Sequence, residues 1–291
     1  MRKSTRYSLL TSALPAAVAV AIMGCSSGAD NSNGTPPPTG TPPPPTGTPP
    51  PTNPPGNPSP PPPAATGSGL NDTGVLLCVD GGGVEFDCAA TQTSALPGQD
   101  AKAGRDVDQR DDSDGRAGFA FSKIDASGAP LVDQATAYVV TPWDCVQDSV
   151  TGLVWEIKTN DGGLRDLRHT YRWREQRRGE PPSETGEPVC TELSECSATS
   201  YVEAVNARNL CGRNDWRVPD RHELFSIVDF GSPTSSSIDE SYFPNTPPEP
   251  YWSASRDALT ASVKFVEFDE GISAGVTPAT ALRIRLVSGG N

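Results

Sequence analysis

Beyond residue 70 the chain alternates short apolar runs with polar turns, and the period of each run predicts its element. Val75–Val79 and Val84–Phe86 flank Gly81-Gly82-Gly83 and predict a hairpin. Phe119–Ile124 and Tyr138–Val140 read as strands. In the next run Leu153, Trp155 and Ile157 alternate with Val154, Glu156 and Lys158, the period of a half-buried strand. Ser200–Leu210 carries Val202, Val205 and Leu210 at helical spacing, with Gly212 just past its end, where a left-handed residue is favoured. After a short extended run, Trp216–Val218, Pro219 and Asp220 start a second helix over Asp220–Asp229. Glu223 stands where a capping box needs it, and Leu224, Phe225, Ile227 and Val228 supply an apolar face. Tyr251–Ser255, Ser262–Phe268 and Leu282–Val287 close the domain as strands. In the last of them Leu282, Ile284 and Leu286 alternate with Arg283 and Arg285. Two helices among many short strands, without a βαβ rhythm, predict an α+β fold.

The N-terminal quarter follows different rules. Arg2, Lys3 and Arg6 precede the apolar stretch Ala13–Met23, so residues 1–24 read as a secretory signal. Ile22-Met23-Gly24-Cys25 resembles the bacterial lipobox, which implies that Cys25 becomes the lipidated N-terminus. Ser26 after it implies sorting to the outer membrane rather than inner-membrane retention. Residues 25–70 form a Pro/Thr/Gly-rich linker, with 17 prolines among the 28 positions 36–63. Such a segment lacks both backbone donors and apolar side chains, so it is expected to stay unfolded as a polyproline II spacer of ~3.1 Å per residue. Residues 71–117 are then an N-terminal hairpin and acidic loop, and residues 118–291 the main domain. No other segment approaches the ~20 apolar residues of a membrane-spanning helix.

Charge and cysteine count narrow the function. The net charge of −13 becomes −16 once Arg2, Lys3 and Arg6 leave with the signal, which argues against nucleic acid as the partner. Without Cys25, six cysteines remain: Cys78, Cys88, Cys145, Cys190, Cys196 and Cys211. An even number in an exported chain implies up to three disulfides with fifteen possible connectivities. The pairing expected is Cys78–Cys88 across the glycine turn, a local Cys190–Cys196 loop, and Cys145–Cys211 through the core. Metal binding is the weaker reading, because there is no Cys-x-x-Cys pair and only His169 and His222 carry imidazole.

Other candidate chemistry is sparse. The carboxylates Asp106, Asp108, Asp111, Asp112 and Asp114 suggest a calcium loop, but Arg110 and Phe121 stand where ligands are required, so a solvated loop is expected. Ser226 replaces the second histidine of a His-Glu-x-x-His zinc helix at His222. Ser253 and Ser255 lack a nucleophile elbow. No cofactor or metal is expected. Trp143, Trp155, Trp216 and Trp252 lie in strand or junction contexts and are expected in the core. The run from Arg165 to Arg178 is the most suggestive: Arg165, Arg168, Arg172, Arg174, Arg177 and Arg178 stand against Asp166 and Glu175, a net +4, with Trp173 among them. Guanidinium forks suit sulfate or carboxylate, and an indole stacks on a sugar face. The competing reading pairs these arginines with the chain's many carboxylates and buries the aromatics. If Tyr171–Arg174 is extended, Arg172 and Arg174 share one face and Tyr171 and Trp173 the other.

Several phrases together resemble a known family. They are Asp148-x-x-Thr151-Gly152-Leu153-x-Trp155-Glu156, Asn206-x-x-x-Leu210-Cys211-Gly212, Asp215-Trp216-Arg217-x-Pro219, Tyr251-Trp252-Ser253 and Arg285-Leu286-Val287. In this order, over residues 118–287, they resemble the Lcl C-terminal domain family of bacterial collagen-like adhesins. A more distant similarity, to the formylglycine-generating-enzyme branch of the C-type-lectin-like fold, implies that architecture but not its enzymatic activity. The resemblance implies a non-enzymatic surface module, held to the membrane by its N-terminal lipid, that binds anionic or sulfated extracellular polysaccharide. Two other classes remain: an envelope assembly subunit whose partner is a protein, and an exported enzyme.

Overall fold

The computed structural model describes residues 71–88, 96–108, 112–174 and 186–290. The lipobox with Cys25, the proline-rich linker, Arg177 and Arg178 lie outside the described residues. Strands β1 (Leu77–Val79) and β2 (Glu85–Asp87) form the expected hairpin. A single helical turn, α1 (Arg105–Asp108), follows. A four-stranded antiparallel sheet, ordered β3-β4-β5-β9, is built from β3 (Phe121–Ile124), β4 (Cys145–Asp148), β5 (Val154–Glu156) and β9 (Val287–Ser288). A second antiparallel sheet holds β6 (Pro250–Arg256), β7 (Val263–Glu267) and β8 (Ser273–Val276). The two longer helices are α2 (Ala198–Ala207) and α3 (Arg221–Phe225). The fold is thus mixed helix and antiparallel sheet, tied by three disulfides.

Both faces of the central sheet are covered. Leu153, Trp155 and Ile157 lie in one apolar cluster with Phe121, Phe243 and Tyr251. Val154 lies in the other, with Tyr171, Tyr201 and Val205. The alternation along β5 therefore has the expected parity but the wrong exposure: the polar face is covered by α2, and Glu156 and Lys158 are buried. Arg285 is likewise fully buried. All four core tryptophans, Trp143, Trp155, Trp216 and Trp252, are at most 2% exposed. Each takes on the order of 200 Å² out of water, a gross gain of roughly 5 kcal/mol.

Other boundaries move for local reasons. Tyr138–Val140 is a turn rather than a strand, closed by Val140 N–H donating to Ala137 O at 2.9 Å. Tyr138 packs edge-on against Trp143, leaving Val139 and Val140 exposed. Of Leu282–Val287, only Val287 joins a ladder. Leu282 exchanges both backbone hydrogen bonds with Tyr171, and Arg283 bridges Tyr251, so this segment passes from one partner to another. Helix α3 starts as expected: Glu223 N–H donates to the Asp220 carboxylate at 2.9 Å, and Asp220 N–H donates to Glu223 at 2.7 Å. It ends four residues early, because Asp229 is drawn away to bind the Arg116 guanidinium at 2.6 Å.

The disulfides are Cys78–Cys88, Cys145–Cys211 and Cys190–Cys196, the pairing expected. The described residues at the start of the 71–117 extension are integral to the fold. Asn71 donates to the Asp148 carboxylate at 2.5 Å and to Ser226 O at 2.8 Å, and Phe230 N–H donates to Thr73 O at 2.8 Å. Gly74 is required here: it has φ +80°, and a Cβ would fall 2.0 Å from the Asp229 carboxylate.

Candidate functional site

The backbone of the basic run is held by its neighbours. Tyr171 bridges Leu282, and Arg172 bridges Ser197, with Arg172 N–H donating to Cys196 O at 3.0 Å and Ala198 N–H donating to Arg172 O at 2.8 Å. Trp173 N–H then donates to Pro278 O at 3.1 Å. Ser197 caps α2 by accepting from Ser200 N–H, so the bridge to Arg172 fixes the position of the helix's first turn.

This tethering splits the arginines. Arg165 binds Asp144 and donates to Ile157 O at 2.8 Å. Arg168 forks onto both oxygens of Asp166, at 2.7 and 2.8 Å, and pulls that carboxyl well below the usual range. Arg172 is buried and meets Glu187 at 2.6 Å. These three are committed to carboxylates of the chain itself. The alternating-face expectation also fails: Tyr171 and Arg172 make isolated bridges to different partners, and Trp173 and Arg174 line one cleft instead of opposite faces.

That cleft, of about 380 Å³, is lined by Trp173, Arg174, Thr199, Val202, Glu203 and Arg256, among others. The Arg256 guanidinium sits 5.7 Å from the centre of the Trp173 ring, and Trp173 leans on buried Trp252 with centroids 5.9 Å apart. Trp252 is itself fixed by its indole N–H, which donates to Tyr171 O at 2.7 Å. Among the described residues Arg256 has no carboxylate partner. The sequence singled out Trp173 and Arg174 but missed Arg256 and Glu203. Their one signal is period: Arg256 follows Trp252 by four in a strand, and Glu203 lies one turn beyond Thr199 on α2.

A buried polar network joins the end of β5 to α2. Lys158 Nζ donates to Glu156 at 2.9 Å and to Tyr201 Oη at 2.8 Å, and Tyr201 Oη donates in turn to Glu156. Glu156 also accepts from Leu286 N–H at 2.9 Å. Tyr201 stacks on Tyr171 at 4.6 Å, linking α2 to the basic run. On the other face Arg285 donates to Glu156 O and to Thr246 Oγ1, both at 2.5 Å, between the rings of Phe243 and Tyr251. Burial pushes the Lys158 ammonium down from 10.5 to about 8, against the opposing pull of Glu156. Between these values the unfolded chain holds a proton that the native state releases, so stability rises with pH in that window. Burial pushes Tyr251 up to about 12, which reverses the trend once unfolded tyrosines ionise near pH 10. The melting temperature is therefore expected to rise between pH 7.5 and 9.5. The rise should shrink in Lys158→Met, the remainder coming from Lys123, which burial also lowers; a rise of equal size in that variant would assign it to other groups.

The signature phrases have defined structural roles. Asp148 caps its own turn, accepting from Val150 N–H at 2.9 Å and Thr151 N–H at 3.2 Å. The Asn206 side chain pairs with both backbone groups of Trp216, at 2.9 and 2.8 Å, and the Trp216 indole donates to Leu210 O at 3.1 Å. Arg217 forks onto Glu223 at 2.7 and 2.6 Å. Residues 144–288 match the family model of the Lcl C-terminal domain. This segment is an Lcl C-terminal domain. Neither the curated proteins nor the solved structures contain a match to the chain. The Lcl match includes Trp173, Arg174, Glu203 and Arg256, as well as the network around Glu156. It begins at Asp144, whereas the fold takes in earlier residues: Phe119 and Phe121 pack in the core, and β3 pairs with β4.

No described helix is long and apolar enough to cross a membrane. Among the described residues no group of three histidine, cysteine or carboxylate side chains is placed to hold a metal ion. His222 is 77% exposed at the start of α3, and Ser253 is buried, donating to Lys264 O at 3.1 Å.

Proposed function

We propose that this protein is a lipid-anchored outer-membrane module, with Cys25 as its anchor, that binds anionic extracellular polysaccharide through the Trp173 cleft and catalyses no reaction. The observation that carries the reading is the pairing of Trp173 with Arg256 and Arg174 in one open depression of the Lcl C-terminal domain. An indole offers a flat apolar face to the C–H side of a sugar ring, and the Arg256 guanidinium over it suits a carboxylate or sulfate on that ring. Glu203 can accept from ring hydroxyls. The family resemblance to an adhesin's C-terminal domain points the same way, as does a C-type-lectin-like reading of the architecture: short antiparallel strands and two helices closed by disulfides. The proline-rich linker would hold the head away from the lipid surface.

The test is a glycan array probed with the purified protein at low and at physiological salt. Sulfated or uronate-containing polysaccharides are expected to bind, with affinity falling as salt rises. Trp173→Ala and Arg256→Ala are each expected to weaken binding about tenfold, the loss of ~1.4 kcal/mol. An array without binding, or binding that survives both substitutions, rejects the reading.

A further inference from the structure

A second groove, of about 790 Å³, runs beside β1 and shares no residue with the Trp173 cleft. Its walls are apolar: Val75, Leu77 and Val79 on one side, Phe230 and Pro233 on the other. Leu77 and Phe230 are 50% and 46% exposed. Its charged residues are Glu85, Asp87 and Asp100, with Arg116 already held by Asp229 and by Gly74 O.

The strand beside it is an edge. Cys78 pairs with Phe86, and Asp80 N–H donates to Val84 O at 3.1 Å, so residues 78 and 80 turn their backbone groups towards β2. Antiparallel alternation then turns those of Leu77 and Val79 outward. The Gln99 carboxamide meets Val79 as a strand residue would, accepting from its N–H at 2.6 Å and donating to its O at 2.7 Å. Two residues along the same edge, the outward N–H and C=O of Leu77 find no hydrogen-bond partner among the described residues. An edge that offers both backbone groups beside an apolar groove is a template for another strand.

We propose that this groove takes an extended peptide from a partner protein as a third strand on β1. An aliphatic side chain would sit between Leu77 and Phe230, with lysine or arginine against Glu85, Asp87 and Asp100. The occupant follows from three observations. The outward N–H and C=O of Leu77 are the pair that one residue of an antiparallel strand exchanges. The acidic rim selects a cationic segment, which disfavours a second copy of this acidic chain. The protein's own linker is unsuited, because 17 of its 28 residues at 36–63 are prolines and lack the N–H that a ladder needs.

Fluorescence polarisation of dye-labelled Lys-Val-Lys-Val-Lys-Val with the full mature protein tests this. The peptide is expected to bind, and its counterpart with alternate amides N-methylated at least tenfold more weakly. A Glu-Val peptide of the same length is expected not to bind. Phe230→Ser should weaken binding about tenfold, and Glu85→Lys, on the exposed rim, should do so without any demand on folding. Equal binding of the methylated peptide would mean charge adsorption alone and overturn the proposal. So would absence of binding, binding indifferent to both substitutions, or a dimer by light scattering that Phe230→Ser dissociates.

Discussion

Glu156→Ala is expected to lower the unfolding free energy by about 3–5 kcal/mol, measured by denaturant titration at pH 7. The carboxylate accepts from Lys158 Nζ, Tyr201 Oη and Leu286 N–H in a site without solvent access, so its removal takes an acceptor from three buried donors and the counter-charge from one of them. The cost is that of an orphaned ammonium rather than the net worth of the ion pair. Two companions separate these quantities. Glu156→Gln keeps an acceptor and is expected to cost less. The double variant Glu156→Gln, Lys158→Met removes both charges at similar volume and is expected to recover a large part of the loss. A single-variant cost below about 1 kcal/mol would contradict the buried network.

The second large effect belongs to Cys145–Cys211, which joins β4 to the turn after α2 across 66 residues. Loop closure alone assigns such a bridge about 4 kcal/mol, against about 2 kcal/mol for the six-residue Cys190–Cys196 loop. Cys145→Ala with Cys211→Ala is therefore expected to shift the denaturation midpoint roughly twice as far as Cys190→Ala with Cys196→Ala. Cys145 and Cys211 are also buried, so lost packing adds to the larger shift. Equal shifts would mean that neither bridge acts mainly on the unfolded chain.

Much of the scaffold was legible because its signals are local. The Asp220 and Glu223 capping box, the glycine turn of the first hairpin and the three disulfide pairs each rest on residues that identify their own role. The failures share a different cause. Glu156, Lys158 and Arg285 lie in runs whose alternation was read with the right parity, but a periodic pattern reports which side a residue faces and not what covers that side. Here α2 covers one face and the aromatic cluster around Phe243 the other. The site was legible only in part for the same reason. Trp173 and Arg174 stand out within a basic run, whereas Arg256 and Glu203 reach them from distant elements. The carboxylates that occupy Arg165 and Arg172 come from Asp144 and Glu187, 21 and 15 residues away. Charge density along the chain could not separate committed guanidiniums from the one over the indole.

Hydroxyl-radical footprinting of the protein with and without a sulfated polysaccharide bears most directly on the proposed role. Trp173 is expected to lose reactivity on binding, while buried Trp143, Trp155, Trp216 and Trp252 stay unreactive in both states. A ligand that binds and leaves Trp173 as reactive as before would contradict recognition at this cleft.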